Sequence, residues 1–350
     1  MKILSIIILS LGIYFNFSLI SIYAADCKKP IMPSYEEWKS WIEEFKIFAL
    51  NEGISEKTID DVLTDVEPSS KILLRDKCQV ESTISLDEYL YYRLDKARII
   101  AGKNIMKKYQ KKLNIIGDYF SIQPRFIVSI LGLESYYGKN QGKTDTIQAI
   151  TNLAFDIRRS NFYKNQLIAA LKIIDNGLAP QKLKGSWGGA VGMSQFIPTT
   201  YLDSGYDWNK DGLIDIWNDY EDVFASISNY LTSIDKNPWN SNITWGREVI
   251  PPKNINVIYE SLKQNNPKGC GAVKSMSVAK TLDEWHKLGF KSITGNDLPK
   301  IQSLNARLVA PNGINKRMFL VYSNYKNILY YNCSSYYAVA IGLLSDAIKN

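Results

Sequence analysis

The amino-acid sequence predicts a mainly α-helical fold of the α+β class. Residues 34–66 and 85–117 carry apolar side chains at helical spacing. From about residue 245 onward, prolines separate shorter segments. Two runs in that part, residues 318–325 and 327–332, have the pattern of strands in a small sheet. The last run, residues 334–349, is an apolar stretch that predicts a closing helix.

Composition and charge limit the classes of function. The 350 residues are 45% hydrophobic and 22% charged, which is typical of globular proteins and enough for two or three domains. Forty-two basic side chains against 35 acidic ones leave a net charge of +7, which suits an acidic polymer such as a cell wall, or a membrane surface. The sequence has no arginine-rich run and no nucleic-acid motif, so we expect no nucleic-acid partner.

Residues 1–25 have the pattern of a secretory signal. Lys2 supplies the positive charge, an apolar run follows, and small residues ending at Ala25 suit cleavage. The alternative is a retained membrane anchor, because the apolar run is nearly long enough to span a bilayer. A lipid on Cys27 is disfavoured, since Asp26 stands where a small residue is needed. We therefore expect an exported, periplasmic protein, with attachment to the outer membrane or the wall left open.

The four cysteines predict disulfides, because their number is even and the chain is exported. Of the three possible pairings we favour Cys27–Cys78 with Cys270–Cys333, since each bond then stays within one end of the chain. Their spacing does not suit zinc. The single histidine, His286, lies in an ordinary segment, and we expect it to be a surface or packing residue.

Residues 124–138 contain a carboxylate where a core residue is expected. Ile127, Ile130, Leu131 and Glu134 fall at i, i+3, i+4 and i+7, so a helix places them on one face. Loss of water disfavours the charged form of a carboxylate, which is how a general acid is prepared. The alternative is a solvated glutamate at the end of a helix.

An arginine pair and a glycine-rich run follow. Arg158 and Arg159 lie in a predicted helical region, residues 145–176, where such a pair is usually solvated unless it borders a cleft. Four glycines between residues 185 and 192 indicate close backbone approach or positive φ. The run matches neither the dinucleotide fingerprint nor the phosphate loop, so we expect no organic cofactor.

Residues 207–222 resemble the first half of a calcium loop. Oxygen-bearing side chains and a glycine occupy positions 1, 3, 5, 6 and 9 of that loop, namely Asp207, Asn209, Asp211, Gly212 and Asp215. Leu213 would contribute its carbonyl at position 7, while Asn218 replaces the usual glutamate at position 12. The alternative is a chance acidic turn.

Four stretches, in this order, carry a resemblance to a known family: ILGLESYYGKNQGKTDTIQAITNLAF, LKGSWGGAVGMSQFIPTTY, DWNKDGLIDIWN with DVFASISNYL, and YYNCSSYYAVAIGLLSDAI. Together they resemble the membrane-bound lytic murein transglycosylase B family, from about residue 34 to the C-terminus. The resemblance implies a lysozyme-like catalytic core with an accessory helical region and a small β subdomain. The implied boundaries are 26–117 for the helical region, 118–245 for the core with its EF-hand-like loop, 246–332 for the β-containing subdomain, and 333–350 for a helix packing back on the helical region.

The resemblance also implies roles for single residues. Glu134 would be the one general acid and base. Further residues would line the sugar cleft: Ser186, Gln195, Phe196, Arg158, Arg159, Tyr230, Tyr331, Asn332 and, on looser flanking sequence, Tyr89. A structural calcium ion would be held by Asp207, Asn209, Asp211, the Leu213 carbonyl and Asp222, with Glu221 as the alternative last ligand.

The implied activity is cleavage of the β-1,4 bond between N-acetylmuramic acid and N-acetylglucosamine, leaving 1,6-anhydromuramic ends. The first carboxylates after Glu134 in the sequence, Asp145 and Asp156, lie in no comparable motif, which favours a route with one glutamate. A hydrolytic muramidase and a non-catalytic peptidoglycan-binding protein are the alternatives. The expected partners are peptidoglycan strands, with wall-synthesis or division machinery left open.

Overall fold

The structure is a computed structural model that describes residues 30–77, 84–234, 237–301 and 303–349. The predicted signal and the predicted Cys27–Cys78 bond lie outside these residues. The helices are α1 Tyr35–Asn51, α2 Glu56–Leu63, α3 Ser70–Lys77, α4 Leu86–Arg93, α5 Lys96–Lys108, α6 Gln110–Phe120, α7 Pro124–Ser135, α8 Thr146–Phe155, α9 Ser160–Asp175, α10 Pro198–Ser204, α11 Tyr220–Thr232, α12 Ile255–Ile258, α13 Gly271–Lys274, α14 Leu282–Lys287, α15 Ser323–Tyr331 and α16 Ser335–Ala347. The strands are β1 Thr144–Asp145, β2 Lys184–Gly185, β3 Gly246–Ile250, β4 Lys280–Thr281, β5 Lys291–Ser292, β6 Asn305–Val309 and β7 Met318–Val321.

Capping side chains divide the two long N-terminal helical regions into shorter helices. Ser34 begins α1 with a capping box, in which its hydroxyl accepts from Glu37 N and its own N–H donates to the Glu37 carboxylate. Within the predicted regions, Ser55 and Asp95 begin α2 and α5 in the same way, through side chains that accept backbone N–H bonds. The apolar periodicity continues across these caps, so it predicts helix but not where each helix ends.

Helix α7 lies at the centre of the larger hydrophobic core. Pro124 occupies its first turn, and Phe126, Ile127, Ile130 and Leu131 are fully buried. It packs against α5, α6, α11 and α16. The last turn of α7 is therefore positioned by helices from both halves of the sequence.

A short ribbon and a helix pair follow α7 in the chain. Strands β1 and β2 pair antiparallel, with Thr144 opposite Gly185 and Asp145 opposite Lys184. Asp145 also caps α8, since its carboxylate accepts from Gln148 N. The predicted helical region 145–176 is thus two packed helices, α8 and α9, joined by the turn that carries the arginine pair.

Residues after 245 build an antiparallel sheet, which in the described part of the chain has the strand order β4-β6-β7-β3-β5. Leu308 and Leu320 pair across β6 and β7 and contribute to a separate small core with Trp285 and Phe290. The predicted Cys270–Cys333 disulfide is present. In the described residues, every helix is too short or too polar to cross a membrane.

The strand predicted for residues 327–332 is wrong, because this segment belongs to helix α15. The predicted strand before it is present as β7, which ends at Val321. Buried Asn327 explains the difference, since its side-chain amide donates to the carbonyls of Leu231 and Asn237. These tertiary hydrogen bonds and the burial of Ile328 outweigh the strand preference of the tyrosines and isoleucine nearby.

Candidate active site

Glu134 lies in the last turn of α7, and three apolar residues of the same face are fully buried. Its own side chain is partly exposed. The helix ends directly after it, because Tyr136 and Tyr137 have positive φ values of 51° and 59°. Non-glycine residues in this region cost of order 1–3 kcal/mol each and need support from their surroundings. The carboxylate is thus held at a strained helix end.

Tyr137 supplies part of that support. Its hydroxyl donates to the Arg98 carbonyl at 2.9 Å, and its ring lies against two helical glycines. A Cβ atom on Gly102 or Gly132 would come within 2.5 Å or 2.7 Å of the Tyr137 side chain. Both glycines are therefore needed for the close approach of α5, α7 and this turn.

Tyr337, in the first turn of α16, contacts Glu134 directly. Its hydroxyl donates to Glu134 Oε1 at 2.6 Å, and its side chain is only 4% exposed. Burial, with the Glu134 carboxylate as the next cause, raises the pKa of the Tyr337 phenol well above its ordinary value. Tyr337 therefore remains a hydrogen-bond donor to Glu134 at physiological pH.

Tyr337 is not among the residues predicted from the sequence. The sequence feature that could have pointed to Tyr337 is its phenol at the start of an otherwise apolar run. A buried tyrosine hydroxyl needs a hydrogen-bond partner. That signal says a partner exists but does not identify it. Glu134 is 203 positions away along the chain.

Aromatic rings form one wall beside Glu134. The ring centroid of Phe196 lies 5.9 Å from Tyr230 and 5.8 Å from Tyr331, and the Tyr331 ring stacks on Tyr337 at 6.5 Å. The hydroxyls of Tyr230 and Tyr331 donate to backbone carbonyls at 2.6 Å and 2.5 Å. Burial raises the pKa of Tyr230 to about 12. The wall is thus rigid, neutral and suited to the apolar faces of sugar rings.

Tyr89 and Asn332 lie at the edges of this cluster. The Tyr89 ring is 5.7 Å from Tyr336. Tyr89 also contributes to the raised pKa of Tyr337, although burial, the Glu134 carboxylate and Tyr331 contribute more. Asn332 ends α15 and is exposed.

The glycine-rich run forms a tight turn around Ser186. Its hydroxyl accepts from Gly188 N at 3.3 Å and Ala190 N at 3.1 Å, so its oxygen is fixed in place. Gln195 has a φ of 51°, and its amide donates to the carbonyls of Gln141 and Gly192. Both residues are held by backbone contacts before any ligand binds.

Arg158 and Arg159 each have side chains that are 46% exposed, and both are also held by a buried carboxylate. Both guanidinium groups form ion pairs with Asp76 of α3, whose side chain is 2% exposed. Arg158 also binds Asp156 at 2.9 Å. The pair joins α3 to the turn between α8 and α9, a structural role that the sequence alone did not indicate.

The candidate calcium loop is ordered by its own side chains. The Asp207 carboxylate accepts from Lys210 N and Gly212 N, and Asn209 and Asp211 accept from backbone N–H groups two residues on. Gly212 has a φ of 91°, the conformation the loop pattern requires of a glycine.

The two candidates for the last ligand point in different directions. Asp222 is 1% exposed and accepts from Trp208 N at 2.9 Å and Asp215 N at 2.8 Å, inside the loop. Glu221 is turned away and forms an ion pair with Lys112. The structure thus places Asp222, and not Glu221, toward the loop.

The oxygen atoms of these residues suit calcium, although the described side chains do not form a complete coordination sphere. Burial raises the pKa of Asp222, and the charges of Asp219 and Asp207 add to the rise while hydrogen bonds oppose it. A cation would offset this cost of a buried carboxylate. Among the described residues, however, no three acidic, histidine or cysteine side chains converge on one point that could hold a metal. The amide of Asn209 and the Leu213 carbonyl would have to complete the set.

The chain is similar in sequence to a known family and to a characterised relative. Residues 37–346 match the family described as Transglycosylase SLT domain. Over 132 residues, the chain is 33% identical to Membrane-bound lytic murein transglycosylase B of Escherichia coli (strain K12). That match covers 37% of this chain and 36% of the relative, so it spans about a third of the relative's length.

Solved structures extend the likeness to most of the chain. SltB3 from Pseudomonas aeruginosa, solved in complex with NAG-anhNAM-pentapeptide, is 33% identical with a TM-score of 0.80. The same protein, solved with NAG-NAM-pentapeptide, is 34% identical with a TM-score of 0.80. Each comparison covers 89% of this chain and 80% of the other. The predicted mainly α-helical, lysozyme-like fold is confirmed.

Proposed function

We propose that this chain, which belongs to the transglycosylase SLT domain family, is a peptidoglycan lytic transglycosylase. Such an enzyme is a lyase that cleaves the glycan strand. The observation that carries the proposal is the partly exposed Glu134 carboxylate, held by Tyr337 at 2.6 Å beside a wall of aromatic rings. The bond cleaved is the β-1,4 bond between N-acetylmuramic acid and N-acetylglucosamine. The SltB3 complexes with muropeptides support this substrate.

Glu134 would act alone, first as acid and then as base. The protonated carboxyl donates its proton to the glycosidic oxygen, and the bond to C1 of muramic acid breaks through an oxocarbenium-like state. The N-acetyl oxygen of the same sugar stabilises that cation. The Glu134 carboxylate then removes the C6 hydroxyl proton while the C6 oxygen bonds to C1, which closes the 1,6-anhydro ring. Intramolecular attack is favoured over water by its high effective concentration.

The structure supports a route without a second carboxylate. Retaining glycosidases place a second carboxyl about 5–5.5 Å from the first, and inverting enzymes about 6.5–9.5 Å away. Asp145 caps α8, and Asp156 is in an ion pair with Arg158. The first two carboxylates after Glu134 in the sequence therefore already have structural roles.

The remaining residues would bind and orient the glycan. Tyr337 would direct Glu134, and the partly exposed rings of Tyr230 and Tyr331 would stack on sugars. Phe196 is only 2% exposed, so it would support these two rings from behind and not contact the sugar as expected from the resemblance. Ser186 and Gln195, which are fixed by backbone contacts, would hydrogen-bond to N-acetyl or hydroxyl groups, with Asn332 and Tyr89 at the edges. Arg158 and Arg159 would reach substrate only through the guanidinium surface that their contact with Asp76 leaves exposed. The protein would act in the periplasm, where this polymer lies.

The product decides between this proposal and its rivals. We expect the mature protein, incubated with intact sacculi, to release muropeptides lighter by one water than hydrolytic products. Glu134→Gln should lower release by about 10²–10⁴-fold, the usual contribution of a general acid. Glu52→Gln, on an exposed residue, is the matched control. Products that all carry the added water would indicate a muramidase, and full activity of Glu134→Gln would indicate a binding protein.

We further propose that the loop of Asp207, Asn209, Asp211, the Leu213 carbonyl and Asp222 holds calcium. Bound calcium would supply a structural cross-link between the loop and α11, and no step of the reaction passes through it. Calcium at 100 times its Kd should add about 2.7 kcal/mol of stability, which the chelator EDTA should reverse.

Variants test the loop itself. Asp211→Asn should abolish the rise in unfolding midpoint on adding calcium, whereas Asp203→Asn on α10 should retain it. An unchanged midpoint in the wild type, with no calcium found by elemental analysis, would contradict the site.

A further inference from the structure

A cavity of about 1020 Å³ opens on the side of the β1–β2 ribbon, and the proposed reaction does not use it. Its walls are residues 138–143, the end of α9, part of α10, and residues 212–218. The volume is at the upper end of the range that drug-sized ligands occupy, so it could hold a short oligomer. Among the described residues, its basic lining consists of Lys139, Lys143, Lys182 and Lys184.

The four lysines form no ion pair with any of the residues that the structure describes. Within the described part of the chain, none of them forms a salt bridge, and Asp215 is the one carboxylate that lines the cavity with them. Asp215 is already engaged, since its carboxylate accepts from Trp217 N and Asn218 N at 2.9 Å. The cavity therefore has an excess of positive charge that its own side chains do not neutralise.

The ribbon shows why the charge stays unpaired. Asp145 lies directly opposite Lys184 across β1 and β2, where a cross-strand ion pair would be expected. The Asp145 carboxylate instead accepts from Gln148 N and begins α8. Lys184 is left on the surface of the cavity as a result.

The other lining residues favour peptide-like ligands. Asn140, Gln141 and Asn218 supply amide groups, and Trp217 supplies an aromatic surface. No arginine is found among the described residues that line the cavity. Arginine recognises one planar carboxylate or phosphate through two parallel hydrogen bonds, whereas each lysine is a point charge that can pair with a separate anionic group. Four separate lysines therefore suit several carboxylates spread along a flexible chain.

One wall joins the cavity to the candidate active site. Gln141 lines the cavity, donates to the Trp217 carbonyl at 2.9 Å, and accepts from Gln195 Nε2 through its own carbonyl at 3.0 Å. Lys184 is two residues before Ser186 in the chain. A polymer bound along the cleft at Gln195 and Ser186 thus lies next to the lysines.

We propose that this cavity binds the carboxylates of the peptides that peptidoglycan carries on its glycan strands. This proposal rests on the proposed function, because that function makes peptidoglycan the substrate. The enzyme would then hold the strand by its anionic peptide at these lysines, in addition to holding the sugars beside Glu134. Recognition would then affect how tightly peptide-bearing glycan binds and leave the chemical step unchanged.

Kinetics on two substrates test the proposal. The double variant Lys143→Gln/Lys182→Gln should raise KM for peptide-bearing glycan by about fivefold, as expected when two exposed ion pairs are lost, with kcat unchanged. On glycan whose peptides an amidase has removed, variant and wild type should have equal KM. Lys143→Arg/Lys182→Arg should restore the wild-type KM. Lys253→Gln/Lys316→Gln, which removes the same charge from exposed positions elsewhere, should have no effect.

A binding measurement makes the test independent of catalysis. The synthetic peptide Ala-γ-Glu-diaminopimelate should bind the wild type in calorimetry and bind the Lys143→Gln/Lys182→Gln variant at least about fivefold more weakly. The proposal would be overturned if the Lys143→Gln/Lys182→Gln variant had the same rise in KM on both glycans, or if the control variant had an equal rise in KM. It would also be overturned if inorganic phosphate bound as tightly as the peptide. If the wild type binds peptide but releases no muropeptide, the proposed function fails while this inference stands.

Discussion

At the scale of single residues, Glu134 depends on a partner from the opposite end of the chain. Tyr337 donates to it at 2.6 Å from the first turn of α16, and the Tyr337 ring stacks on Tyr331. A hydrogen bond to a charged group contributes about 1.5–3 kcal/mol. Because the donor is buried and remains protonated, it fixes the direction of one oxygen of Glu134.

Tyr337→Phe should therefore lower kcat on sacculi by about 10- to 100-fold, which corresponds to the loss of that hydrogen bond. The fold should persist, since the ring and its packing are retained. Tyr336→Phe is the matched control, because Tyr336 is the adjacent phenol and its ring packs on Tyr89. A variant with wild-type kcat would show that Tyr337 does not position Glu134.

At the scale of elements, several contacts join helix α16 to α7 and to Trp245, the residue before β3. Trp245 is 1% exposed, and its indole N–H donates to Asp346 at 2.9 Å. Asp346 also pairs with Arg125 in the first turn of α7 at 2.6 Å. The ring of Trp245 lies so close to Gly342 that an added Cβ would come within 2.1 Å of it.

Gly342→Ala tests which of two opposing effects is larger. Replacing a helical glycine by alanine ordinarily stabilises by up to about 1 kcal/mol. Here overpacking against Trp245 should cost about 1–3 kcal/mol or more, so we expect net destabilisation in urea unfolding. Gly271→Ala in α13, where nothing lies within 4 Å, should change stability by less than about 0.5 kcal/mol. Equal behaviour of the two variants would contradict the close contact.

At the scale of the whole molecule, the disulfide joins the segment between β3 and β4 to the active-site region. Cys270 directly precedes α13, and Cys333 lies between α15 and α16, next to Asn332. The two cysteines are 63 positions apart. A cross-link over a loop of that length restricts the unfolded chain and also fixes the segment that carries Tyr331 and Tyr337.

Removing the bond should lower the free energy of unfolding by about 2–4 kcal/mol. The double variant Cys270→Ala/Cys333→Ala, followed by urea denaturation, measures this directly. Reductant on the wild type is a poorer test, since it would also act on Cys27 and Cys78. A change below about 0.5 kcal/mol would show that the cross-link contributes little to stability.

Sequence alone predicted most of the elements and the family. Periodicity predicts helices, caps such as Ser34 mark their starts, and a short apolar run predicts β7, since these signals depend on neighbours within a few residues. The strand predicted for residues 327–332 failed, because Asn327 binds carbonyls that are 90 or more positions away. Local pattern does not contain that information.

The sequence by itself determined the placement of a carboxylate at the end of an apolar helix, the glycine-rich run and the calcium-like loop. It favoured the Cys270–Cys333 pairing over the alternatives, and the structure contains that bond. Only the tertiary structure decided that Tyr337 holds Glu134, that Arg158 and Arg159 bind a buried Asp76, and that Asp222 turns into the loop while Glu221 binds Lys112. Only it brought four unpaired lysines around one cavity. The physical reason is that a motif records which chemistry a position can offer, whereas a hydrogen bond or ion pair depends on the distance between groups that are far apart in the chain.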